Sequence, residues 1–162
     1  MKTLVIVTHP ELEKSMNPNI TIRNLYETYP DEQIQVDKEQ ELLEKHDRII
    51  LQFPFDLYSA PSFMKKWIDQ VMTYGFAYGT DGNKLHGKDL MLAISTGEPE
   101  EFYQAGGMNL FSMSELLKPY QATSHLIGTY FLPSYVFHNV NLATNEELEK
   151  GTSDYIHRIF TA

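Results

Sequence analysis

The chain has 162 residues and a mass of 18.7 kDa, enough for one domain with a core that needs no metal or disulfide staple. Thirteen basic against 22 acidic residues leave a net charge of −9, a field that repels nucleic-acid phosphates and anionic lipid alike, so neither is expected as a partner. The absence of cysteine excludes disulfides, zinc–thiolate sites, iron–sulfur clusters and thiol nucleophiles.

In chain order, the first element is a short apolar strand, Leu4 to Val7. Its run is too short for a signal peptide and no later stretch approaches a membrane span, so a cytoplasmic protein without membrane insertion is expected. A loosely alternating strand follows over Ile20 to Tyr26, leaving positions 9 to 19 for the connection. A parallel crossover needs at least about 10 to 12 residues. Pro10 and Pro18 shorten the usable part further, which predicts a shortened first crossover without a full helix. A helix is expected over Asp37 to His46 and a strand over Arg48 to Phe53. From Pro61 to Met72, Phe63, Met64, Trp67, Ile68, Val71 and Met72 recur at helical spacing on one face, with Pro61 suited to the first turn. A strand over Asp89 to Ser95 comes next, then a helix over Ser112 to Ala122. The last strand spans Phe131 to Phe137 and the last helix Asn145 to Phe160. Ser112 with Glu115, and Thr144 with Glu147, fit capping boxes at the two helix starts.

Continuous apolar strands alternating with amphipathic helices require a parallel sheet covered on both faces. No repeat, low-complexity tract or linker divides the chain, so residues 1–162 read as a single α/β domain, doubly wound, with five strands in the flavodoxin-like order 2-1-3-4-5. Ligands bind such sheets at the carboxyl ends of strands beside the switch point, which directs attention to residues 9–19, 54–60 and 96–107.

No dinucleotide or P-loop glycine motif occurs, and the six histidines never fall at i, i+3 or i+4, so no metal site is expected. The stretch Phe53-Pro54-Phe55-Asp56-Leu57-Tyr58-Ser59-Ala60-Pro61 places large apolar side chains where loops are normally polar. Phe55, Leu57 and Tyr58 either cap the sheet, face another subunit, or wall a flat aromatic cofactor. Ser95-Thr96-Gly97 sets a hydroxyl and a glycine beside the same place, where backbone amides could approach a polar ring edge.

These pieces, together with Thr8-His9-Pro10, His46 to Pro54, Lys65 to Asp69, Tyr74 to Gly79, His86-Gly87-Lys88 and Tyr103 to Gly107, resemble in content and order the flavodoxin-like NAD(P)H:quinone oxidoreductases. That group includes DT-diaphorase, general stress proteins and the ancillary oxidoreductases of potassium-efflux systems. The resemblance implies a homodimer that binds FMN, takes hydride from NAD(P)H and passes it to a quinone or similar small-molecule acceptor. It places Pro54, Phe55, Asp56, Leu57 and Tyr58 along the isoalloxazine, Thr96 and Gly97 at its polar edge, and His9, Ser15 and Asn17 around the phosphate. Tyr103 takes the position of the family's tyrosine beside the flavin, and Phe76 and Tyr78 those that close the pocket from the other subunit. Three positions depart from the pattern: Leu57 stands where an aromatic is usual, Glu98 where glycine is usual, and Asn109 where the mammalian enzymes carry the histidine that works with the tyrosine. The short first connection predicts weakened FMN binding and keeps open a non-catalytic ancillary subunit with a degraded flavin site.

Overall fold

The computed structural model describes residues 1–8 and 18–161. Strand β1 (Thr3–Val7) lies in a parallel sheet between β2 (Ile20–Asn24) and β3 (Arg48–Pro54), with β4 (Asp89–Ser95) beyond β3. The outer edge is made by β5 (Tyr130–Phe131) and β6 (Tyr135–Phe137), both paired with β4. The order β2-β1-β3-β4-β5 is the one expected from the sequence.

Period-two alternation divides the apolar strand residues between two faces. Leu4, Ile6, Ile49, Leu51, Leu90, Leu92 and Ile94 face one core, which is covered by α2 (Val36–Lys45), α3 (Ser62–Val71) and α5 (Lys118–Leu126). Val5, Val7, Ile50, Met91 and Ala93 face the other, against Ile159 and Tyr155 of α6 (Asn145–Thr161). In α3 the expected face is buried through Phe63, Met64, Trp67, Ile68 and Val71, behind Pro61 at φ −52°. Among the described residues, a cavity of about 470 Å³ lies on the α6 face, bordered by Val5, Val7, Ile20 and Ile22 and by Leu148 and Ile156.

Two buried charges brace this frame. The Glu39 carboxylate, wholly enclosed, accepts from Arg23 Nε (2.9 Å) and Nη2 (2.6 Å), from the Tyr29 hydroxyl (2.7 Å) and from Trp67 Nε1 (3.0 Å). Arg48 donates Nη2 to Asp89 (2.8 Å) and Nη1 to the Ile159 carbonyl (2.7 Å), tying β3 to β4 and to α6.

Several expected boundaries need correction. The second strand stops at Asn24 rather than Tyr26, because the Asn24 side chain accepts from Tyr26 N–H (3.2 Å) and caps the short helix α1 (Leu25–Thr28). The last strand is two pieces: Leu90 pairs with Phe131 but Ala93 with Tyr135, so one extra residue is accommodated around Pro133, which has no N–H for the ladder. The helix expected over Ser112 to Ala122 is divided into α4 (Met113–Leu116) and α5, with Pro119 in the first turn of the second piece, where its missing donor costs nothing. The final helix runs one residue further than expected, to Thr161. Both capping boxes form, with Ser112 N–H to Glu115 Oε2 at 2.9 Å and Thr144 N–H to Glu147 Oε2 at 2.7 Å. The shortened crossover falls mostly on residues 9–17, outside the described residues.

Candidate functional site

The carboxyl ends of β3 and β4 lie side by side, since Pro54 pairs with Ser95 and Phe55 N–H donates to Ser95 O at 2.9 Å. Beyond Phe55 the chain reverses at once. Asp56 N–H donates to Ser59 O (2.9 Å) and Ser59 N–H to Asp56 O (3.0 Å), while Leu57 and Tyr58 between them stand at φ 44° and 65°. Two consecutive positive φ values are the signature of a type I′ reversal, a position usually filled by Asn-Gly because a Cβ there costs roughly 1–2 kcal/mol per residue. Leu57 is 95 % exposed and Tyr58 52 %, so burial within the protomer does little to offset that strain.

Behind the turn the rings form a chain. Phe55 meets Tyr58 edge-on at 6.4 Å and Tyr103 at 6.3 Å, and Tyr103 lies against the imidazole of His138 at 5.5 Å and 33°. Tyr103 follows a single 3₁₀ turn, Glu100–Phe102, and its carbonyl accepts from Met113 N–H (3.1 Å), which ties it to α4. Burial raises the Tyr103 phenol above its ordinary value, and the Glu98 carboxylate adds to this, against the Thr96 and Asn109 side chains that lower it. The Tyr58 hydroxyl donates to Asn109 Oδ1 at 3.1 Å.

Thr96 is buried and fully engaged. Its N–H donates to Phe137 O (2.9 Å), its hydroxyl donates to Glu98 O (2.8 Å), and its oxygen lies 3.0 Å from His138 Nδ1. A hydroxyl has one proton, and a carbonyl can only accept. With that proton on Glu98 O, which also accepts from Asn139 N–H (3.1 Å), Thr96 accepts from the Nδ1–H tautomer of His138. Burial holds the His138 imidazole below its ordinary value, overriding the Glu100 and Glu101 carboxylates that act to raise it.

Free donors border the same place. Among the described residues no hydrogen bond uses the N–H of Leu57, Tyr58 or Gly97, and two buried polar atoms lack a partner, Asn109 Nδ2 and Thr8 Oγ1 at the end of β1. A Cβ on Gly97 would come within 2.9 Å of Asn141 Nδ2, so a larger residue there would displace that side chain. Aromatic walls with amide donors along one border suit a flat heteroaromatic ring whose edge carries acceptors.

The structure brings together Pro54, Phe55, Asp56, Leu57, Tyr58, Thr96, Gly97 and Tyr103 of the expected site. Tyr78 borders a cleft shared with Tyr58 and Tyr120. Phe76 is buried in its own core and presents little surface to a second subunit. His9, Ser15 and Asn17 lie outside the described residues. His138 escaped the sequence reading although it directly follows the last apolar strand, at the same carboxyl edge that singled out the other loops.

A family profile described as Flavodoxin_2, flavodoxin-like fold, matches residues 12–159. General stress protein 14 of Bacillus subtilis is 52 % identical, with 99 % of each chain covered, in an alignment of 174 positions. An uncharacterized NAD(P)H oxidoreductase of the same organism, YdeQ, is 45 % identical over 98 % of this chain and 86 % of its own. Among solved structures, one described as a thermophilic tryptophan halogenase from Streptomycin violaceusniger superposes with a TM-score of 0.93 at 49 % identity, covering 98 % and 99 % of the two chains. General stress protein 14 of Treponema denticola, in complex with FMN, gives 0.88 at 34 % identity, with 97 % of each covered. An NADPH-quinone reductase of P. pentosaceus gives 0.89 at 34 %, covering 100 % and 99 %. With a profile spanning most of its length and a relative sharing half its residues end to end, the chain belongs to the family of flavodoxin-like fold.

Proposed function

We propose that this chain is an FMN-dependent NAD(P)H oxidoreductase that reduces a quinone or a similar small acceptor and works as a homodimer. The observation that carries the reading is the strained, exposed Leu57–Tyr58 reversal backed by Phe55 and Tyr103, with unused N–H groups at Leu57, Tyr58 and Gly97. Strain kept at an exposed position has its use in what the position contacts. The FMN complex of the Treponema relative and the reductase names among relatives and solved structures support the same reading.

The residues fit the ring portion of FMN. Phe55, Leu57 and Tyr58 would wall the isoalloxazine, and the three free amides would meet its acceptor edge. Bound there, the flavin supplies two-electron hydride chemistry between a nicotinamide and the acceptor. The chain's part is orientation, exclusion of water by the aromatic walls, and placement of the Tyr103 hydroxyl. That hydroxyl stays protonated at neutral pH and can donate toward negative charge as it builds. Because both Thr96 donors are engaged within the chain, Thr96 supports the site and Gly97 offers the free amide.

The test is NAD(P)H oxidation by the purified chain with added FMN and a soluble quinone. Turnover that requires both is expected, and Tyr103→Phe should lower kcat by up to roughly a hundredfold with the fold intact. No turnover with either nicotinamide would overturn the reading. A non-catalytic ancillary subunit is the second reading, favoured by the brevity of the connection between β1 and β2. It is distinguished by a folded protein that neither retains FMN nor oxidises NAD(P)H.

A further inference from the structure

We propose that His138, as its neutral Nδ1–H tautomer held by Thr96, positions Tyr103 in the site, and that protonating the imidazole releases the tyrosine. The inference rests on the oxidoreductase reading for its kinetic consequence only. Its structural part concerns three side chains of the apoprotein.

The geometry is directional. Thr96 Oγ1 spends its proton on Glu98 O (2.8 Å), leaving a lone pair for His138 Nδ1–H at 3.0 Å. This bond fixes the plane of the ring. The fixed ring lies against Tyr103 with centroids 5.5 Å apart, while Phe55 meets Tyr103 from another side at 6.3 Å. Tyr103 is thus held between a phenyl ring and an imidazole whose own orientation is set by a third residue. Asn109, which stands where the mammalian enzymes of the resembled family carry a histidine, accepts from Tyr58 (3.1 Å). The imidazole beside the tyrosine comes from the far edge of the sheet, 42 residues beyond Thr96.

The groups facing His138 make its charge state consequential. Glu100 and Glu101 of the 3₁₀ turn attract an imidazolium, and Tyr103 and the Thr96 hydroxyl supply no counter-charge. Packed against the tyrosine and shielded from water, the ring is favoured when neutral; once charged, it gains by reaching water, against the two carboxylates, which favour the charge where it stands. Since burial already holds its pKa below the ordinary value, the packed arrangement persists at neutral pH and is lost in acid.

The experiment begins with nitrogen-detected NMR of the apoprotein. The Nδ1–H tautomer is expected in the wild type and its loss in Thr96→Val. The His138 signals should titrate below pH 6.5, and the Tyr103 ring signals should follow the same curve. His138→Phe keeps a flat ring but cannot be protonated, so its Tyr103 signals should not move with pH. In turnover assays the wild-type kcat should fall by roughly tenfold per pH unit below that pKa. The fall should be absent in His138→Phe, and His138→Ala should lower kcat at every pH with KM for the nicotinamide little changed. The opposite tautomer, titration at or above pH 6.5, a Tyr103 signal indifferent to the His138 titration, or an acid limb retained in His138→Phe would each overturn the inference. A wild type that folds and shows the expected NMR behaviour yet oxidises no NAD(P)H would overturn the oxidoreductase reading and, with it, the kinetic consequence. The His138–Tyr103 contact itself would stand.

Discussion

Leu57 and Tyr58 hold left-handed backbone conformations with most of Leu57 and half of Tyr58 in solvent, so neither propensity nor burial within the protomer accounts for them. Leu57→Gly relieves a Cβ penalty of roughly 1–2 kcal/mol, against a glycine entropy cost of about 0.5–1 kcal/mol. The variant is expected to unfold at a higher temperature, by up to about 1.5 kcal/mol of added stability, and to bind flavin less tightly through loss of the apolar wall. A lower Tm would show that the turn is not strained. At this scale the sequence was informative wherever a side chain was unusual for its place: Phe55 and Tyr58 stood out as aromatics in a loop, and Tyr103 through the resemblance. It was silent on His138 and Glu39, because a lone histidine after a strand or a glutamate in a helix looks ordinary until the fold brings its partners from 42 and 28 residues away.

The elements were legible where one physical signal dominated. The α3 stripe, the two capping boxes and the apolar β3 and β4 all formed as read. Misreadings came where a proline or a capping side chain cut across an apolar pattern, at Asn24, Pro119 and Pro133. The resemblance puts the FMN phosphate at the connection between β1 and β2. Residues 8–19 must join two parallel strands. Loss of two charge-assisted bonds to a phosphate, at about 1.5–3 kcal/mol each, would weaken binding by roughly a hundredfold to ten-thousandfold. Titration of the apoprotein by flavin fluorescence quenching should therefore give weak FMN binding. A nanomolar Kd would show that the short connection still builds a full phosphate site.

For the molecule as a whole, sheet order and layering followed from the alternation of strand and helix. Of the aromatic segments expected to face a second subunit, Tyr74 and Tyr130 are exposed, whereas Phe76 is used within its own core. A further group of exposed apolar side chains gathers where the Tyr58–Asn109 bond brings the loop carrying Met108, Leu110 and Phe111 beside Leu57. Such a patch on a chain of charge −9 is suited to a second copy only if its centre is uncharged, as it is here. Sedimentation is expected to give a dimer at micromolar concentration, and Phe111→Asp a shift toward monomer. A wild-type monomer would refute the arrangement. The bond from Arg48 to the Ile159 carbonyl joins residues 111 apart in sequence. At roughly 5–20 residues added per second, the ribosome takes about six to twenty-two seconds to make that stretch. Through that interval the nascent sheet has β1 and β3 without the helix that covers them, so this chain completes its core late in synthesis and is most vulnerable to aggregation just before α6 emerges.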